Sequence, residues 1–220
     1  VPTRLLLTRH GETTANVRRI FSGHTDVALT PLGVRQARAL ARRLADEPIV
    51  AAYASDLSRA RETARLALGG RDIPVIEEPG LREFHFGTWE GLSFREVRER
   101  FPDGWQQFLA LSDDFCAPDG EPLRETRRRI AETVQRIVAA HTEETVLVVA
   151  HGGTLQMIFA DVLGLTTGTM FRLATDNCSL SVLEYYGDRP LLRAINDTSH
   201  LRRLTRSAGQ RSARAGVGNG

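Results

Sequence analysis

The chain of 220 residues has no lysine; all 29 of its basic residues are arginine. That excludes Schiff-base chemistry, a P-loop lysine and a lysine general base, and leaves arginine to hold any anion. Cysteine is scarce too. Cys116 and Cys178 lie far apart and match no metal or redox spacing, so they read as small hydrophobic residues rather than a disulfide framework, in keeping with a reducing, cytoplasmic setting. No stretch approaches the ~18 consecutive apolar residues of a membrane span, and no charged leader precedes a long apolar run, so neither a membrane nor secretion is expected.

A basic surplus on the body is also missing. Arg202, Arg203, Arg206, Arg211 and Arg214 crowd the end of the chain with no acidic residue among them; without these five, 24 basic residues face 27 acidic ones. The body lacks the basic patch with interleaved aromatics that suits nucleic acid, and no nucleic-acid partner is expected. Residues 1–201 read as one domain and 202–220 as a solvated basic tail with no assigned role.

What is present is an alternation of short apolar runs and helical patterns. Strand-like runs fall at 3–9, 49–55, 73–78, 145–151 and 179–186, with a weaker sixth at 191–196. The first and fourth are almost continuously apolar, as strands covered on both faces are. Thr30 and Pro31 start a helix with Val34, Ala37, Leu40, Ala41 and Leu44 on one face, and Ser55 or Asp56 is expected to cap the next, with Leu57, Ala60, Ala64 and Ala67 as its stripe. The pattern predicts an α/β fold, a sandwich with a largely parallel sheet, ending in an antiparallel hairpin across GDRP.

Eight of the fourteen aromatic residues lie between Phe84 and Phe115. The interval 84–125 reads as an inserted helical cap. Its aromatics would fill a small satellite core, or line a pocket for an apolar part of a ligand.

The strand ends carry the chemistry. Arg9 and His10 follow the first run, Arg59 the second, Glu83 the third, and His151 with Gly152 and Gly153 the fourth. Ligands of open α/β sheets bind beyond the carboxyl ends of strands, so these residues should share one crevice. Two arginines, two histidines and a helix start make a site for a phosphate dianion. No metal is expected: HxxxH and HxH pairs are missing, and flanking arginines would repel a divalent cation. His24, His85, His141 and His200 read as hydrogen-bonded structural histidines. Glu12 reads as a carboxylate at the start of a helix, and Glu83 is better placed for proton transfer.

RHGET with Asn16, SDLSRARETA, LREFHFGTWEG and VVAHGG together resemble the four signature segments of the histidine phosphatase superfamily, in order and spacing, across about residues 3 to 198. The resemblance implies a three-layer α/β/α sandwich with a mixed, mostly parallel six-stranded sheet. It implies His10 as nucleophile, Arg9, Arg59 and His151 as the phosphate pocket with Asn16 assisting and the Gly152 amide contributing, and Glu83 as proton donor, with no cofactor. Because Glu83 must be protonated for the first step, activity should fall in alkali. Phosphoglycerate mutases of the family carry a longer insertion with a tyrosine and a lysine; HFGTWEGLSF and the lack of lysine favour a phosphatase of small phosphomonoesters. A non-catalytic binder should have lost His10 or Glu83, and both are kept. The look is nearest to bacterial broad-specificity and alpha-ribazole phosphatases, which implies Ser22 and Gly23 at the substrate entrance. In PDGEPLRET, Gly120 and Glu121 match a Gly-Glu-Ser segment of many relatives, but Pro122 replaces the serine. Homodimers are common in such families, so a homodimer is the expected form of any self-association.

Overall fold

A computed structural model of the chain describes residues 1–110, 112–202 and 204. Strands β1 (Thr3–Arg9), β2 (Ile49–Ala54), β3 (Val75–Glu77), β4 (Thr145–Ala150), β5 (Leu180–Tyr186) and β6 (Arg189–Asp197) form one sheet in the order β3-β2-β4-β1-β5-β6. β1, β2, β3 and β4 pair in parallel, while β5 runs antiparallel to both β1 and β6. The mixed sheet and the terminal hairpin are as the sequence predicts.

Successive side chains of a strand point to opposite faces. Leu5, Leu7, Val146 and Val148 accordingly join one buried cluster, and Leu6, Leu147 and Val149 the other. After the short α1 (Thr14–Arg18), helices α2 (Pro31–Arg43) and α3 (Ser58–Leu68) cover the second face through Ala37, Leu40, Ala60 and Ala64. Helices α6 (Leu123–Ala140) and α7 (Gly152–Val162) cover the first through Ile130, Val134, Leu155 and Phe159. The three layers are thus α/β/α.

Thr30 caps α2 by accepting from the Gly33 amide at 3.0 Å. The start of α3 differs from expectation. Leu57 is its N-cap residue and makes no side-chain capping bond; Asp26, from a distant loop, accepts instead from the Ser58 amide at 2.9 Å and its hydroxyl at 2.7 Å. Asp56 is diverted to a two-point ion pair with Arg82, at 2.7 and 2.5 Å.

The interval read as a cap holds α4 (Phe94–Arg100), started by a Ser93–Glu96 capping box, and α5 (Pro102–Ala110). Its aromatics do not form a separate satellite core. Phe84, Phe86, Trp89, Phe108 and Phe115 belong to the same buried cluster as Leu5 and Val148, because Trp89, surrounded by Phe101, Phe108 and Phe115, is fully buried and joins the cap to the sheet-face core. Phe94 and Phe171 remain exposed. Of the predicted tail, all but Arg202 and Leu204 lies outside the described residues. Among the described residues no helix is long and apolar enough to cross a membrane.

Candidate active site

β1 and β4 are neighbours in register, with Arg9 opposite Ala150. His10 and His151 therefore leave the sheet at one level, their ring centroids 5.1 Å apart. The His10 amide donates to the Ala150 carbonyl at 3.0 Å, tying the two exits together.

The backbone sets the tautomer of each ring. His10 Nδ1 lies 2.8 Å from the Gly11 carbonyl, which can only accept, so Nδ1 carries the proton and the Nε2 lone pair is left for chemistry. Arg59 Nε donates to His151 Nδ1 at 3.3 Å, which puts the His151 proton on Nε2. Burial, reinforced by the Arg59 and Arg9 charges, holds the pKa of His10 well below the ordinary imidazole value; burial, then Arg59 and the neighbouring His10, does the same to His151. Both rings are neutral in this state.

Arg59 is almost wholly buried. Its Nη2 donates to the Gly23 carbonyl at 2.6 Å and its Nη1 to the Thr25 carbonyl at 3.0 Å. Arg9 Nη1 donates to the Thr175 carbonyl at 2.8 Å. Burial lowers the pKa of both guanidinium groups, partly offset by the Glu83 charge, without taking either near neutrality. In the crevice two buried donors find no acceptor among the described residues, Arg9 Nε and His151 Nε2; outside it Trp89 Nε1 also lacks one. Unpaired buried donors are rare, and an anion would satisfy both of those in the crevice.

Glu83 follows the 3₁₀ turn Pro79–Leu81. Its carboxylate accepts from the Gly153 amide at 3.0 Å, the Thr154 amide at 3.2 Å and its neighbour Phe84 at 3.1 Å. The start of α7 thus serves Glu83 more than a phosphate, contrary to the simple expectation of a helix start open to the anion. Of its first three amides, only that of Gly152 is left to contribute as expected. A Cβ on Gly153 would fall 2.6 Å from Glu83 Oε1 and 2.7 Å from the Phe84 ring, so the approach requires glycine.

The remaining candidates divide. Asn16 spends its Oδ1 on the Thr13 amide at 3.0 Å and on Asn177 Nδ2 at 3.2 Å, which leaves only its amide nitrogen to address an anion. Gly23, at φ +41°, offers its carbonyl to Arg59, and a side chain there would overlap the Glu90 carboxylate. Ser22 lies beside it, its carbonyl accepting from the Thr25 amide at 2.7 Å. Glu12 is not in the crevice chemistry: it accepts from the Thr30 hydroxyl at 2.7 Å and pins a loop. His24 Nε2 donates to the Glu83 carbonyl at 3.0 Å, and its ring stacks on His85 at 4.6 Å.

Several contributors escape a reading by motif. Thr63 of α3 accepts from the Gly11 amide at 2.9 Å and donates to the Arg59 carbonyl at 2.6 Å. Asn177 Nδ2 donates to the His10 carbonyl at 2.9 Å. The polar run TDNCS directly before β5 was the available signal for Thr175 and Asn177; an interior threonine on a helix gives none. Among the described residues no group of three or more His, Cys, Asp or Glu side chains is arranged to hold a metal ion. A cleft of about 810 Å³ lies elsewhere, between α6, α7 and the β5–β6 hairpin, and none of the site residues lines it.

Comparison with known proteins identifies the family. The chain is 37% identical over 202 residues to the bifunctional protein Rv2228c of Mycobacterium tuberculosis, covering 91% of this chain but 55% of that protein; it thus spans about half the length of that relative. It is 31% identical over 193 residues to the adenosylcobalamin/alpha-ribazole phosphatase of Salmonella typhimurium, covering 88% and 96% of the two chains. The solved structure of Bacillus stearothermophilus YhfR superposes with a TM-score of 0.87 at 35% identity, over 90% of this chain and 99% of that one. Residues 5–198 match the histidine phosphatase superfamily (branch 1), and the chain belongs to that family.

Proposed function

We propose that the chain is a phosphomonoester hydrolase acting through a phosphohistidine on His10. The observation that carries this reading is the free Nε2 lone pair of a neutral His10 beside two buried donors, Arg9 Nε and His151 Nε2, that lack acceptors. A phosphate seated on those donors, on Arg59 and on the Gly152 amide, with Asn16 Nδ2 assisting, presents phosphorus to His10.

His10 Nε2 attacks phosphorus in line, and the N–P bond forms as the bond to the leaving oxygen breaks. Glu83, protonated, gives its proton to that oxygen. Glu83, now a carboxylate, takes a proton from water; the water oxygen attacks phosphorus, the N–P bond breaks, and inorganic phosphate leaves. The arginines and His151 stabilise charge on the non-bridging oxygens in both steps, where fixed donors in a dry site act most strongly. Ser22 and Gly23 stand at the substrate entrance in this reading. The substrate is a small phosphomonoester, and alpha-ribazole phosphate, suggested by the name of the Salmonella relative, is one member of the class to test.

The test is hydrolysis of an aryl phosphate in excess chelator by the wild type and His10→Ala, with trapping of the phosphoenzyme in alkali, where phosphohistidine survives. Chelator-resistant turnover that falls by at least about 10³-fold in the variant is expected. Full activity in His10→Ala, or a flat pH–rate profile from acid to alkali, overturns the assignment.

A further inference from the structure

The Gly-Glu pair of PDGEPLRET takes no part in the chemistry above, yet it is tied to it. Glu121 forms a two-point ion pair with Arg129 of α6, Nε to Oε1 at 3.0 Å and Nη2 to Oε2 at 2.6 Å. The same guanidinium donates to three successive features of the acid loop: the carbonyls of Gly80 at 3.0 Å, Arg82 at 3.1 Å and Glu83 at 3.4 Å. Thr154 Oγ1 and His24 Nε2 add bonds to the Arg82 and Glu83 carbonyls, both at 3.0 Å.

We infer that Arg129, buckled to Glu121, is the positioning residue for Glu83, and this rests on the reading of Glu83 as proton donor. Glu83 sits on a loop with no strand ladder to hold it, between the 3₁₀ turn Pro79–Leu81 and the buried Phe84. Its carboxylate must meet both the leaving oxygen and, later, a water. Arg129 fixes the carbonyl side of that loop while the α7 amides fix the carboxylate side. The task needs arginine: carbonyl and carboxylate acceptors are spread around one planar fork, a geometry that a single ammonium cannot reproduce. Glu121 keeps the fork from turning away. Neither residue touches the phosphate seat, so their loss should spare anion binding and harm proton transfer.

Leaving groups that depart without a proton separate those effects. We would compare wild type, R129M, E121Q and E83Q on dinitrophenyl phosphate and on an alkyl phosphate such as phosphoserine, reading kcat/KM, which reports the steps up to phosphoenzyme formation. Inhibition by inorganic phosphate is measured alongside. R129M and E121Q are expected to lower kcat/KM for the alkyl substrate by about tenfold or more and for the dinitrophenyl substrate by less than about threefold, with phosphate inhibition unchanged. The double variant should lose no more than R129M alone, and R129K should not restore the alkyl activity. Should R129M fail to fold, R129K reads the same ratio. Equal losses on both substrates, or weakened phosphate inhibition in step with activity, mark a merely structural role and overturn the inference. If E83Q discriminates between the substrates and the Arg129 variants do not, the positioning role alone falls; if E83Q does not discriminate, the proton-donor reading falls and takes the inference with it.

Discussion

The two sides of the crevice are built differently. On the phosphate side, His10 and His151 sit one residue beyond adjacent, buried strands, and backbone carbonyls or buried arginines dictate how each ring is protonated. On the leaving-group side, Glu83 and the 22–25 segment lie on loops held by side-chain clamps. Glu90 accepts from the amides of His24 at 2.9 Å, Thr25 at 2.7 Å and Phe86 at 3.1 Å, and Arg82 pairs with Asp56. Strand geometry makes the anion seat uniform and stiff, whereas clamps leave the other side adjustable residue by residue. The comparison teaches where chemistry and selectivity can vary independently.

The largest effect should come from breaking the phosphate side. Arg59→Ala removes a buried cation that holds His151 and the Gly23 and Thr25 carbonyls, and should lower kcat/KM by about 10³-fold. The loss should be the same for good and poor leaving groups in steady-state assays. Gly153→Ala strikes the other side, since its Cβ must displace Glu83 or Phe84. It should cost about 10- to 100-fold on alkyl phosphates and much less on dinitrophenyl phosphate, with phosphate inhibition retained. A uniform loss in this variant would blur the division between the two sides.

The folded pKa values of His10 and His151 lie well below the unfolded value near 6.5. Between those values the unfolded chain binds more protons than the folded one, so stability rises with pH there. The contribution is complete above about pH 6.5 and is lost as pH falls below it, by up to about 1.4 kcal/mol per pH unit for each ring. Denaturant unfolding at pH 7.5 and 5.5 should show the fall, and His10→Asn should reduce its slope. The smallest effect belongs to the loop between the sides: Asp26→Ala uncaps α3 and should cost about 1 kcal/mol, a drop in Tm of about 2–4 °C.

The same division governs what could be read from the sequence. Leu5–Leu7 and Val146–Val149 are apolar because both faces of those strands are covered, so the strand ends, and with them Arg9, His10 and His151, were legible from periodicity alone. Thr30–Pro31 announced α2 because its cap is local. The α3 cap lies away from Ser55 and Asp56 because its acceptor is Asp26, 32 residues from Ser58 in sequence. Arg129, Glu90 and Thr63 were invisible for the same reason: nothing local distinguishes an arginine that spans a loop from the arginines that line a helix face. The cap aromatics were seen as a group, but their union with the sheet-face core depends on how Trp89 is enclosed, which no linear pattern records.

The 5.1 Å between the two imidazoles is close to the ~4.8 Å spacing of neighbouring strands. The sheet thus acts as a ruler: two neighbouring parallel strands set the separation at which His10 and His151 leave it. The separation of the two strand exits belongs to the backbone, while the Gly11 carbonyl and Arg59 set how the rings turn upon it. If the proposed function holds, redesign for a new alcohol would keep these two strand ends as they are and rework the loops that Glu90, Arg82 and Arg129 clamp.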